Sequence, residues 1–198
     1  MQASLEWSNK AASPAYLEMV VNIKPLIDFS EQLKNQRDWF FNPLFSLLAW
    51  QYSQLAIKNR GLNSTQYEQH IIEYEKINLG FTVDVQGQLF LAVLDDIEQY
   101  NQTSFVEAFF ELQRKAMKRQ LAQEQLSGCT LGITSLSSFG VTKHQPILPP
   151  NTSVMLAHSA NLPHNPEDAV YSILGVTYDH KVHSGVQIAK MLKALSAN

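Results

Sequence analysis

The sequence predicts one mixed domain of the α/β or α+β class, a large β-sheet with helices packed on it. Three observations carry this. A chain of 198 residues is long enough to bury one substantial core. Hydrophobic residues make up 45% and charged residues 17%, the balance of a globular protein rather than a disordered one. Helix-like and strand-like segments follow one another without regular βαβ alternation, internal repeat or low-complexity linker.

Residues 16–23, Tyr-Leu-Glu-Met-Val-Val-Asn-Ile, are rich in aromatic and β-branched side chains and read as a strand. Pro25 suits the first turn of a helix reaching about Gln36. Asn42 and Pro43 open a second helix, stopped near Arg60 by Gly61. Leu44, Phe45, Leu47, Leu48, Trp50, Leu55 and Ile57 make it apolar on most sides, so it belongs at the centre of the core. From His70 to Leu94 the pattern turns to strands, with 77–83 and 89–94 flanking a Gln86-Gly87 turn. A long helix is expected over 104–125, with Ser104 and Glu107 as a capping box and Phe105, Phe109, Leu112, Ala116 and Met117 on one face. Short strands follow over 130–136, 153–158 and 171–178. A last helix over 185–195 turns Ile188, Ala189, Leu192 and Leu195 inward.

The formal net charge of −3, with 15 basic residues scattered, gives no electrostatic reason to expect nucleic acid or a membrane surface. The nearest cluster, Arg114-Lys115-Ala116-Met117-Lys118-Arg119, reads first as a solvated helix face and second as a site for an acidic carrier or phosphate. The single cysteine, Cys129, excludes an internal disulfide, fits a reducing compartment, and is expected to be a buried structural thiol. No apolar run approaches the ~20 residues of a membrane span. The N-terminus, with Glu6 and Lys10, does not look like a signal peptide. A cytoplasmic protein is expected.

Six histidines are present, without the spacing of a zinc motif, and no metal is expected. No phosphate loop, nucleophile elbow or dinucleotide fingerprint occurs. Two stretches carry candidate chemistry. In 128–141, Gly-Cys-Thr-Leu-Gly-Ile-Thr-Ser-Leu-Ser-Ser-Phe-Gly-Val, hydroxyl side chains punctuate an apolar strand; one of them could donate to a developing oxyanion, or the stretch is simply a strand entering a Ser-rich turn. In 178–185, Tyr-Asp-His-Lys-Val-His-Ser-Gly, His180 stands where a strand ends and a helix begins, rigidly backed and open in front, as a general base requires.

Together and in this order, the two stretches resemble the catalytic domain of the dihydrolipoyl acyltransferases of 2-oxoacid dehydrogenase complexes, relatives of chloramphenicol acetyltransferase. That family's signature Asp-His-Arg-x-x-Asp-Gly is similar to Asp179 through Gly185, and its Gly-Thr-Phe-Thr-Ile-Ser-Asn-Leu-Gly-x-Phe-Gly to Cys129 through Gly140. Residues 77–83 resemble its Val-Asn-Ile-Gly-Val-Ala-Val, and 87–94 its Gly-Leu-Ile-Val-Pro-Val-Val. The proline-containing strand is matched by Ile147-Leu148-Pro149-Pro150 and 153–157. The likeness runs from about Pro14 to Leu195, leaving 1–13 as an N-terminal arm of a single catalytic domain without lipoyl or subunit-binding domains.

The resemblance implies a chloramphenicol acetyltransferase-like α+β two-layer sandwich and transfer of an acyl group from a thioester to a thiol or hydroxyl acceptor. His180 would be the general base, and Thr134, at the position of the family's serine, would stabilise the oxyanion. Asp179, Ser184 and Gly185 would support the turn. The donor would be acyl-coenzyme A or a phosphopantetheine thioester, with an acyl carrier protein as a partner and no covalently bound cofactor. The family's active sites lie between the subunits of a homotrimer. This sequence departs from the pattern at Lys181 and Ser184, at the absence of any arginine before Arg37, and at Ala15 or Tyr16 in place of an early histidine. Ser184 is expected to cap the final helix. Condensation or elimination on a carrier-bound polyketide or peptide chain, and a catalytically silent oligomeric scaffold, are the alternatives.

Overall fold

The computed structural model describes residues 11–164 and 169–196. Most of the expected N-terminal arm, including Glu6 and Lys10, lies outside the described residues. In chain order the elements are β1 (Pro14–Asn22), α1 (Lys24–Arg37), α2 (Leu44–Lys58), β2 (Ser64–Tyr67), β3 (His70–Glu73), β4 (Leu79–Val85), β5 (Gln88–Leu94), α3 (Gln102–Met117), β6 (Leu131–Ser135), β7 (Val154–His158), β8 (Leu162–His164), β9 (Ala169–Asp179) and α4 (Gly185–Ser196), with short 3-10 turns between some of them.

Seven strands form one mixed sheet in the order β1-β9-β7-β6-β4-β5, with β8 beside the start of β9. β4, β6 and β7 run parallel, and the other pairings are antiparallel. β2 and β3 form a separate hairpin. Alternate strand residues face the helices: Leu79, Phe81, Leu131, Ile133, Leu156 and Val176 join Leu47, Phe105, Phe109, Ile188 and Leu192 in one core. Helices thus cover one face, and the opposite face is left for chemistry. This is the two-layer α+β arrangement the sequence implies.

The β4–β5 turn needs positive φ at both central residues, which Gln86 (55°) and Gly87 (81°) provide. α2 is central, as its composition suggests, with Leu47, Leu48, Ala49 and Tyr52 buried. It ends at Lys58 rather than near Arg60, because the chain tightens into a 3-10 turn over Arg60–Leu62.

The expected 104–125 helix is wrong at both ends. It starts at Gln102, and its cap is a reciprocal Asn101–Ser104 pair rather than Ser104–Glu107. It stops at Met117, where Arg119 turns left-handed (φ 56°). The Gln120 and Arg119 N–H groups then close on the carbonyls of Lys115 and Ala116. The apolar stripe ends at Ala116 and Met117 is exposed, so no buried face draws the helix further. In α4, Met191 joins Ile188, Leu192 and Leu195 inward, while Ala189 is half-buried.

Candidate functional site

β9 runs out at Asp179, which is only 2% exposed. Its carboxylate Oδ1 accepts the N–H groups of Ser13 (2.9 Å) and Lys181 (3.0 Å). Its own N–H donates to Ser153 O, and its carbonyl accepts from Val182 and His183. His180 donates its N–H to Ser13 O at 2.9 Å, and Lys181 Nζ reaches Ala11 O at the same distance. Residues 11–13 therefore brace the turn from outside. From inside, buried His183 places Nε2 at 2.8 Å from Ser153 Oγ, whose hydroxyl also bonds Ser64 O. Because Ser153 gives its one proton to that carbonyl, His183 is the donor and carries its proton on Nε2. Burial pushes the His183 pKa down to about 4, with Asp179 pulling the other way, so the ring is a neutral anchor.

Against this fixed frame the His180 side chain is exposed, its ring centroid 5.6 Å from that of Tyr178. Ser184 caps α4: its Oγ accepts from Gln187 N–H at 3.3 Å, and Gln187 Oε1 accepts from Ser184 N–H at 2.8 Å. Gly185 lets α4 begin against Tyr178, whose hydroxyl would lie 3.3 Å from an added Cβ.

Thr134 lies on β6, facing away from the helices. Its Oγ1 is 2.6 Å from Oγ1 of Thr82 on β4. One bond between two hydroxyls uses one proton and leaves the other for a ligand. Both side chains line a cavity of about 190 Å³ whose remaining walls are Leu89, Leu91, Pro146, Ile147, Pro149, Met155 and His144. The 141–152 segment that closes it is tied to β1. Tyr16 donates its hydroxyl to His144 O (3.3 Å), and Lys143 pairs with Glu18 at 2.9 Å. Tyr16 can lie there because position 175 is glycine, where any Cβ would strike its hydroxyl. Burial, then Glu18, pushes the Tyr16 pKa up to about 12, so the phenol stays protonated and donating.

On the other side of β6, Ser135 Oγ meets His158 Nδ1 at 3.1 Å and Ser137 Oγ at 2.9 Å, and His158 Nε2 meets Asn161 Oδ1 at 3.0 Å. These residues edge a larger cavity of about 650 Å³ that also reaches Thr82, Phe45, Phe110 and Arg114. Burial lowers the His158 pKa. Cys129 is buried, its thiol pushed up to about 11 by desolvation, as a structural cysteine's would be.

The chain does not bring His180 and Thr134 together. Thr134 is in register with Ala157, and Ala157 with Gly175 on β9, five residues short of His180. With two strands to cross as well, the separation is roughly 20 Å. Asp179, Ser184 and Gly185 do surround His180. The sequence reading missed Thr82, His144 and the anchoring role of His183. Thr82 had a signal, a lone hydroxyl in the apolar run of β4; the two histidines had none, since their partners are remote in sequence.

The family model for the 2-oxoacid dehydrogenases acyltransferase catalytic domain matches residues 1–197. The chain belongs to this acyltransferase family. Among its relatives, the dihydrolipoyllysine-residue acetyltransferase component of the acetoin cleaving system of Bacillus subtilis is 31% identical over 140 residues, 68% of this chain and 35% of that protein. The chain spans about a third of the length of the curated acyltransferases it matches, 35%, 40% and 34% in three cases. A solved dihydrolipoamide acetyltransferase of Azotobacter vinelandii superposes with a TM-score of 0.90 at 22% identity, covering 99% of this chain and 85% of that one. A chloramphenicol acetyltransferase shares the acyltransferase fold at a TM-score of 0.63 and 10% identity, covering 98% of this chain and 92% of the other. No helix among the described residues is long and apolar enough to cross a membrane.

Proposed function

We propose that this chain transfers an acyl group from a thioester of coenzyme A, or of a carrier's phosphopantetheine, to a thiol or hydroxyl acceptor. The observation that carries this is the Thr134–Thr82 hydroxyl pair facing a largely apolar cavity. His180, exposed on an otherwise fastened turn, takes the acceptor's proton as the acceptor attacks the thioester carbonyl. The oxyanion accepts a hydrogen bond from the free hydroxyl of the threonine pair, in surroundings where water competes little. Collapse expels the thiolate, and the His180 imidazolium gives its proton to it, restoring the neutral base.

Because His180 and Thr134 lie at opposite ends of the central strands, the working site needs His180 of one subunit and Thr134 of another, as in a homotrimer. The Azotobacter vinelandii study concerns the catalytic roles of a serine, a histidine and an asparagine four residues after that histidine. Thr134, His180 and Ser184 offer comparable groups: a hydroxyl, a base, and a neutral side chain four residues after that base.

Assay of thiol release and acyl transfer over a panel of acyl thioesters and acceptors tests the proposal. His180→Ala should lower turnover by about 10²–10⁴-fold and Thr134→Ala by about 10²–10³-fold. Full turnover in His180→Ala would refute the mechanism. A stable oligomer that transfers nothing would favour the scaffold reading.

A further inference from the structure

Ser135 and His158 are the last residues of β6 and β7, two parallel strands, and stand side by side in register. The carboxyl ends of parallel strands are where such sheets present ligands. Here they open on the cavity of about 650 Å³, which Ser135, Ser137, His158 and Asn161 edge and to which Phe45, Phe110, Met117 and Phe139 give apolar walls. None of the four polar side chains takes part in the transfer by His180 and Thr134.

The hydrogen bonds of this group fix its protons. Asn161 Oδ1, 3.0 Å from His158 Nε2, can only accept, so the ring carries its proton on Nε2 and presents a lone pair at Nδ1. Ser135 Oγ, 3.1 Å away, therefore donates to Nδ1. Ser137 Oγ, 2.9 Å from Ser135 Oγ, is left as the donor of that pair, and the Ser137 N–H adds only a longer bond of 3.3 Å. A serine that gives its proton to an imidazole, itself held by a third side chain, is the arrangement of an activated nucleophile. Burial lowers the His158 pKa, so the ring is neutral and free to take a proton near neutral pH. His158 is 1% exposed, which suits a base that need reach only its serine, while half-buried Ser135 lines the cavity.

We propose that Ser135 is a nucleophile that accepts acyl groups, with His158 as its base and Asn161 as a positioning residue, and that this group hydrolyses acyl thioesters independently of His180. Ser135 Oγ bonds to the thioester carbonyl carbon while its proton passes to His158 Nδ1. The carbon–sulfur bond breaks, and the leaving thiolate takes that proton from His158. Water then attacks the Ser135 ester, giving a proton to His158. The ester carbon–oxygen bond breaks, His158 returns the proton to Ser135 Oγ, and a carboxylic acid departs. The Ser137 hydroxyl, already directed at Ser135 Oγ, turns to the oxyanion in both steps.

Two measurements on the intact protein test this: labelling by a small alkyl fluorophosphonate, located by peptide mass, and thiol release from butyryl-coenzyme A with water as the only acceptor. The label should fall on Ser135 and be lost in Ser135→Ala. Thiol release to water should survive in His180→Ala and drop by about 10²–10⁴-fold in His158→Gln. Asn161→Ala, which removes the acceptor at Nε2, should slow labelling at least about tenfold, and it decides the role of the base should the glutamine variant fail to fold. No label at Ser135, or a labelling rate unchanged in His158→Gln and Asn161→Ala, overturns the proposal. So does thiol release to water that is absent, or that is lost in His180→Ala and kept in Ser135→Ala. Labelling and hydrolysis that depend on Ser135 and His158, with no transfer to any acceptor, uphold it and refute the acyl-transfer reading instead.

Discussion

The His180 turn is held by Asp179 and His183, and Ser184 has a separate task. Asp179→Ala strips the acceptor from two N–H groups, those of Ser13 and Lys181. It should cost about 2 kcal/mol in denaturant unfolding. Ser184→Asp exchanges one good helix cap for another, and stability should stay within ~0.5 kcal/mol. Equal effects of the two substitutions would contradict this division of labour. His183 also makes stability pH-dependent. Its folded pKa, about 4, lies below the ordinary 6.5, so the unfolded chain gains a proton first as pH falls. Stability from this group is complete above the ordinary value and drains away down to the folded one. Between about pH 7.5 and about pH 5 the loss should be about 2 kcal/mol, and His183→Gln should flatten that slope. The Asp179-His180 pair was legible in the sequence; its support was not, since Ser13 is 166 positions from Asp179 and Ser153 is 30 from His183. Ser184 as a cap was legible because a cap and its partner are near neighbours in sequence.

Elements with a local signature were read correctly and those without one were missed. Gln86-Gly87 announces the β4–β5 hairpin through its backbone demands, and Pro25 and Pro43 announce the first turns of α1 and α2. β2 and β8 carry no such mark, and β8 is exposed at every residue; β3 lies inside the span from His70 that reads as strands, although it too is exposed throughout. The start of α3 was misread because Ser104 fits two capping boxes, as the cap itself or as the third residue after Asn101. The structure chooses the second, so Asn101→Ala should cost about 1 kcal/mol in thermal unfolding while Glu107→Ala changes little. The reverse order would restore the Ser104–Glu107 cap.

At the scale of the whole molecule, the strand order places His180 and Thr134, the proposed base and oxyanion donor, far apart in one chain. Mixed strand and helix signals gave the layer class, but β1 pairing with β9 across the full chain length has no local signature. One subunit carries a fastened His180 at one end and a Thr134 cavity at the other, two halves that the proposed mechanism joins only where copies meet. The most direct test mixes His180→Ala and Thr134→Ala subunits, co-refolded in equal amounts. A site that takes His180 from one copy and Thr134 from the next is intact at about a quarter of random interfaces, so activity should return to about a quarter of wild type. If the mixed oligomer stays as inactive as either parent, the two residues do not share a site across subunits and the account is wrong.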